Sequence, residues 1–142
     1  MSKRAGILGA MFAIIVTVGL SGCNDPNKAV LEGGEQVKLR SMQSRRFDTT
    51  DKNKTLRTAM ATLQDLGFVI DEADESLGTV SATKLERYAL RMTITVRPYG
   101  ESQLVVRASA QYNLKAVEDP ETYQQFFDAF AKAMFLTAQQ VE

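Results

Sequence analysis

One cysteine, no histidine and no tryptophan limit what chemistry these 142 residues can perform. Without imidazole there is no Ser-His or Cys-His pair and no histidine-ligated zinc site. Cys23 is the lone thiol, so it can serve as a reactive group, a small buried hydrophobe or an attachment point. Ser81-Ala82-Thr83-Lys84 has the S-x-x-K spacing of a serine nucleophile with a lysine one helical turn on. The alternating residues around it predict a strand instead, where positions three apart point to opposite faces. No S-D-N or K-T-G partner follows in usable form, so the spacing is read as a chance match. Asp71, Glu72, Asp74 and Glu75 lack the alternating ligands and closing glutamate of a calcium loop and read as a solvated acidic turn. Paired carboxylates acting on a sugar would also need a cleft and an aromatic stacking platform. No catalytic residue, metal or cofactor is therefore assigned, apart from what Cys23 itself carries.

Cys23 follows a leader. Lys3 and Arg4 precede an uncharged stretch from Ala5 to Leu20, a basic n-region and an apolar h-region of secretory type. The run is short of the roughly 18 apolar residues of a membrane span and is broken by glycines. Leu20-Ser21-Gly22-Cys23 resembles the lipobox of bacterial lipoprotein precursors. The resemblance implies a diacylglyceryl thioether on Cys23, cleavage of a signal peptide over 1–22, and acylation (palmitate or similar) of the new amine. Several chains at about 0.8 kcal/mol per buried methylene would hold the protein on the membrane. Asn24, not aspartate, follows the cysteine, which by the same resemblance points to the periplasmic face of the outer membrane rather than to the inner membrane.

Loss of 1–22 would remove Lys3 and Arg4 and no acid, leaving 15 basic and 17 acidic residues, a net charge of −2. That lacks the basic excess of a nucleic-acid binder. The stretch 23–36 contains Pro26, Gly33 and Gly34 and no periodicity, and reads as a tether. The thirteen residues after Cys23, 24–36, span about 20 Å root-mean-square and at most about 43 Å. The rest, 37–142, reads as one domain.

In that domain 37–47 is read as a first strand. Leu56, Met60 and Leu63, with Ala59 and Leu66 beside them, make a helical stripe that Asp51 can cap and Gly67 can end. A strand from Phe68, an acidic turn and a strand from Gly78 follow. Two period-two runs, 88–97 and 104–113, flank Pro98-Tyr99-Gly100 and predict a hairpin with one buried face. A turn centred on Gly100 would set Met92 against Ala108 and Leu90 against Ala110. Asp119-Pro120-Glu121 starts a second helix, with Tyr123, Phe126, Phe127, Phe130, Met134 and Val141 along one apolar face. The expected fold is α+β and two-layered, an antiparallel sheet with helices on one face, in the order β-α-β-β-β-β-α.

The stretch LQDLGFVIDEADESLGTVSATK, residues 63–84, resembles the helix-grip or TBP-like domains of envelope lipoproteins, the BamC-like domains among them, and small Gram-negative envelope lipoproteins more generally. The BamC-like proteins of the outer-membrane assembly machine have two such domains and a long N-terminal segment. This chain has one domain and a short tether, so membership of that machine is not implied. The resemblance implies a non-enzymatic, membrane-anchored accessory subunit that binds another protein in assembly, secretion or efflux. The alternative is a carrier of a lipid or small hydrophobic ligand, held between the last helix and the sheet beside Ala108 and Ala110. For the first, Arg91, Arg97 and Arg107 fall on the hairpin face away from the helices, with Arg91 and Arg107 as diagonal neighbours and Arg87 extending the stripe. Arginine forks suit carboxylates and phosphates; a solvated face is the plain alternative. Arg45 and Arg46 could join either. Val105, Phe135 and Leu136 are candidate surface-facing apolar contacts.

Overall fold

The computed structural model describes residues 36–139. The leader, Leu20–Cys23, the tether up to residue 35 and Val141 lie outside the described residues.

The described chain opens as a helix, α1, over 36–42, and continues as β1 (Ser44–Phe47), α2 (Lys52–Asp65), β2 (Val69–Asp74), β3 (Thr79–Leu85), β4 (Ala89–Tyr99), β5 (Gln103–Tyr112), β6 (Lys115–Ala116) and α3 (Pro120–Gln139). The strands form one antiparallel sheet ordered β1-β5-β4-β3-β2, with β6 also on β5. The α+β, two-layer expectation holds. The order differs in two places: residues 36–42 are helix where a strand was expected, and the two-residue β6 is added. A period of two through Val37 and Leu39 competes there with a helical stripe of Leu39, Met42 and Gln43. The helical stripe wins because Leu39 packs on the core and Gln43 is buried.

Asp51 caps α2 by accepting from the Lys54 amide at 2.9 Å. At the other end Gly67, with φ +85°, lets its own amide reach the Gln64 carbonyl and the Phe68 amide reach Leu63, both at 2.9 Å. That double bond closes the helix and folds Phe68 into the core. Leu56, Ala59 and Leu63 are fully buried. Three threonines the apolar pattern passes over are buried as well: Thr55, Thr58 and Thr62 return their hydroxyls to carbonyls four residues back at 2.7–2.9 Å. Their hydroxyls are thus satisfied without water.

α2 lies over β2–β4, α3 over β5, and the two helices pack on each other. Tyr123, Phe126, Phe127 and Phe130 are fully buried, with Phe126 stacked on Phe130 and Phe47 edge-on to Phe130 at 5.0 Å. From the sheet, Val80, Ala82, Met92, Ile94, Val96, Leu104, Val106, Ala108 and Ala110 meet them, all even-numbered positions. The Tyr123 hydroxyl joins three segments: it donates to the Val117 carbonyl at 2.7 Å and accepts from Gln43 Nε2 and the Ala110 amide.

Candidate docking face and groove

The hairpin register sets which side chains share the open face. Met92 pairs with Ala110, Ile94 with Ala108 and Leu90 with Tyr112, two residues away from the expected pairing. The reason is a loop of Gly100, Glu101 and Ser102 between Tyr99 and Gln103, with Gly100 at φ +63°. A shift of two preserves the face of every side chain, so odd-numbered residues of β4 and β5 still turn away from the helices.

On that open face the central rungs are hydroxylic. Ser81, Thr93 and Ser109 lie side by side, with Ser81 and Thr93 hydroxyls 3.0 Å apart. Thr79 and Thr95 pair on the next rung, and Arg107 and Ser44 complete it. One rung further Val105 pairs with Arg97 on one side and with Arg46 on the other. Arg46, Arg97 and Arg107 thus surround the half-buried Val105.

Each of these guanidinium groups is held by an uncharged partner. Arg46 lies 4.5 Å over the Tyr99 ring. Arg97 donates to the Leu77 carbonyl, and Arg107 reaches Gln43 Oε1 at 3.5 Å. Through Gln43, Arg107 is linked to the buried Tyr123 hydroxyl. The turn that supplies Leu77 is fixed by Asp74, which accepts from the Leu77 amide at 2.8 Å and from the Ser76 hydroxyl at 2.6 Å. Those bonds, the Leu77 amide first, hold the Asp74 carboxyl below its ordinary range. Gly78 follows at φ +65°, where a Cβ would fall 2.7 Å from the Val96 carbonyl. Among the described residues, none of the three arginines has a carboxylate within ion-pair distance.

The other expected members lie elsewhere. Arg91 and Arg107 are not diagonal neighbours, because Arg91 pairs with Gln111 and Arg107 with Thr95. Arg91 instead stands 3.8 Å from Asp71, which also accepts from the Thr83 hydroxyl. Arg87 is outside the strand, in the bend before β4, so it does not extend the stripe. Arg45 turns to the helix side, over the Phe127 ring and 3.2 Å from Asp128. Phe135 is exposed, and the side chain of Leu136 lies outside the described residues. Ser81 and Lys84 are on β3 with separate partners, Thr93 and Glu86.

A groove of about 460 Å³ opens where the helices stop short of the sheet. α2 ends at Asp65 with Leu66 as its cap and α3 begins at Pro120, and the rung of Leu90 and Tyr112 is only partly covered. Leu66, Phe68, Leu90, Met92 and Phe126 line its apolar part, and Lys84 and Arg87 lie on its polar side. Ala108 and Ala110, the expected lining, are buried in the core instead. Tyr88, expected on the buried face, is exposed and meets Tyr112 edge-on at 6.4 Å.

Among the described residues no group of three or more acids and cysteines could hold a metal ion, and no helix is long and apolar enough to cross a membrane. Compared with known proteins, the chain matches no family model and no curated sequence.

Proposed function

We propose that this chain is a non-enzymatic lipoprotein, acylated at Cys23 on the periplasmic face of the outer membrane. It acts as an accessory subunit of an envelope complex. Its partner contributes an acidic segment that docks on Arg46, Arg97 and Arg107. The observation that carries this reading is the cluster itself: three arginines around one small apolar side chain, positioned by neutral groups and without carboxylates. Guanidinium forks left in that state are matched by a partner's carboxylates. Confinement to a membrane raises the effective concentration of both molecules, so a modest intrinsic affinity suffices. Crosslinking of the full-length protein in its own cells tests this. One abundant envelope protein should be captured by the wild type and lost with Arg97→Glu/Arg107→Glu. An unchanged capture profile would sink the docking face.

The groove supports a second reading, a carrier of a single-chain amphiphile. Its size lies within the usual range of ligand pockets, about 300–1,000 Å³. Mass spectrometry of gently extracted protein should then find a bound amphiphile that is lost when Leu90→Trp fills the groove. Recovery of the protein alone would count against it.

A further inference from the structure

The end of the sheet that holds the groove also gathers exposed apolar side chains. Leu114 is 95% exposed, Leu85 80%, Val69 70% and Tyr88 66%, and Tyr112 stands beside Tyr88. They come from the start of β2, the end of β3, the bend before β4 and the turn after β5. The register joins them: Leu85 pairs with Ala89, Leu90 with Tyr112, and the Asn113 amide bonds to the Ala89 carbonyl. The opposite end exposes fewer apolar side chains, Tyr99 and Leu77. Tyr99 lies under Arg46, and Leu77 sits in the turn tied by Asp74 and Arg97.

We infer that this end of the domain lies against the phospholipid bilayer, with Leu85, Leu114, Tyr88 and Tyr112 in the interface. The inference rests on the lipoprotein reading and adds an orientation to it. Leucine and tyrosine side chains standing out of a domain end suit the boundary between acyl chains and headgroups. The path of the chain points the same way. β1 runs from Ser44, opposite Arg107, to Phe47, opposite Leu104. The residue before β1 continues this line toward Tyr112, since the Gln43 carbonyl accepts from the Ala108 amide at 2.8 Å. Only 12 residues separate Cys23 from Gln36, which keeps the domain close to its anchor.

The contact is apolar rather than a charge attraction. Lys84 is engaged by Glu86 at 2.8 Å. Lys115 is followed within six residues by Glu118, Asp119 and Glu121. In this orientation Val105, Arg46 and Arg97 stand seven strand positions from Tyr112, about 23 Å along the sheet, and Arg107 five, about 17 Å. Both distances exceed two Debye lengths of about 8 Å, so the arginines face a partner in the periplasm and not the headgroups.

The chain has no tryptophan, which makes the test direct. Full-length acylated protein carrying Leu114→Trp, or Ser102→Trp in the β4–β5 loop, is reconstituted into phosphatidylcholine vesicles with brominated acyl chains. Leu114→Trp should lose most of its fluorescence, equally at low and high salt, while Ser102→Trp keeps its own. Equal quenching of both, or none at Leu114→Trp in an acylated chain, overturns the orientation and leaves the lipoprotein reading standing. Quenching that high salt abolishes overturns the apolar contact. The mass of the N-terminal peptide reports acylation separately; an unmodified Cys23 removes the anchor and the orientation with it.

Discussion

The two faces of this sheet are made from the same strands, residue by alternate residue, yet they obey different rules. On the covered face Val80, Ala82, Ile94, Val106 and Ala108 are at most 1% exposed, because α2 and α3 lie on them. On the open face the same strands carry Thr79, Ser81, Thr93, Thr95 and Ser109. Threonine keeps the branched Cβ that suits a pleated strand while offering water a hydroxyl. A helix seated there would have to bury those hydroxyls and four arginines. The covered face is therefore the one that stabilises the fold, while the open face keeps its hydroxyls along the central rungs and gathers Arg46, Arg97 and Arg107 around Val105.

Phe130→Ala on the covered side removes the ring between Phe126 and Phe47 and should cost about 3–5 kcal/mol in a urea melt. A much smaller loss would mean that α3 does not seal the sheet. Tyr123→Phe should cost about 1–3 kcal/mol, because it leaves the Val117 carbonyl and Gln43 without their buried partner. Gly78→Ala places a side chain at positive φ against the Val96 carbonyl, at about 1–2 kcal/mol for the backbone conformation alone. On the open face Thr93→Val loses only the Ser81 contact and should stay within about 1 kcal/mol.

The smallest effect is a titration. The Asp74 carboxylate is favoured in the fold. Its contribution is therefore present above the unfolded carboxyl's pKa and lost as pH falls through the lower folded value. The Leu77 amide resonance should titrate with a midpoint below 3.8; a midpoint at or above that value would mean the turn does not hold Asp74.

Much of the covered face was legible because its signals are local. Asp51 and Gly67 mark α2, Asp119-Pro120 opens α3, and alternation assigns each hairpin residue to a face. Even the register error was harmless to that assignment, since a slip of two keeps the parity. The open-face cluster was not legible in the same way. It depends on the three-residue loop at Gly100–Ser102, which separates Arg91 from Arg107, and on β1 crossing to β5, which brings Arg46 beside Val105. Neither follows from neighbouring residues. Tyr88 was misplaced because alternation reports a buried face without saying where the covering helices end.

The most direct test of the open face as a docking surface is site-specific photocrosslinking of the full-length protein in its own cells. A photoreactive residue at Ser109, central on the open face, is compared with one at Gln124 on the exposed side of α3. The expected result is a single discrete protein adduct from position 109, absent from position 124 and lost when Arg97 and Arg107 become glutamate. Adducts from position 124 with none from position 109 would contradict it, and would place the partner on the helices.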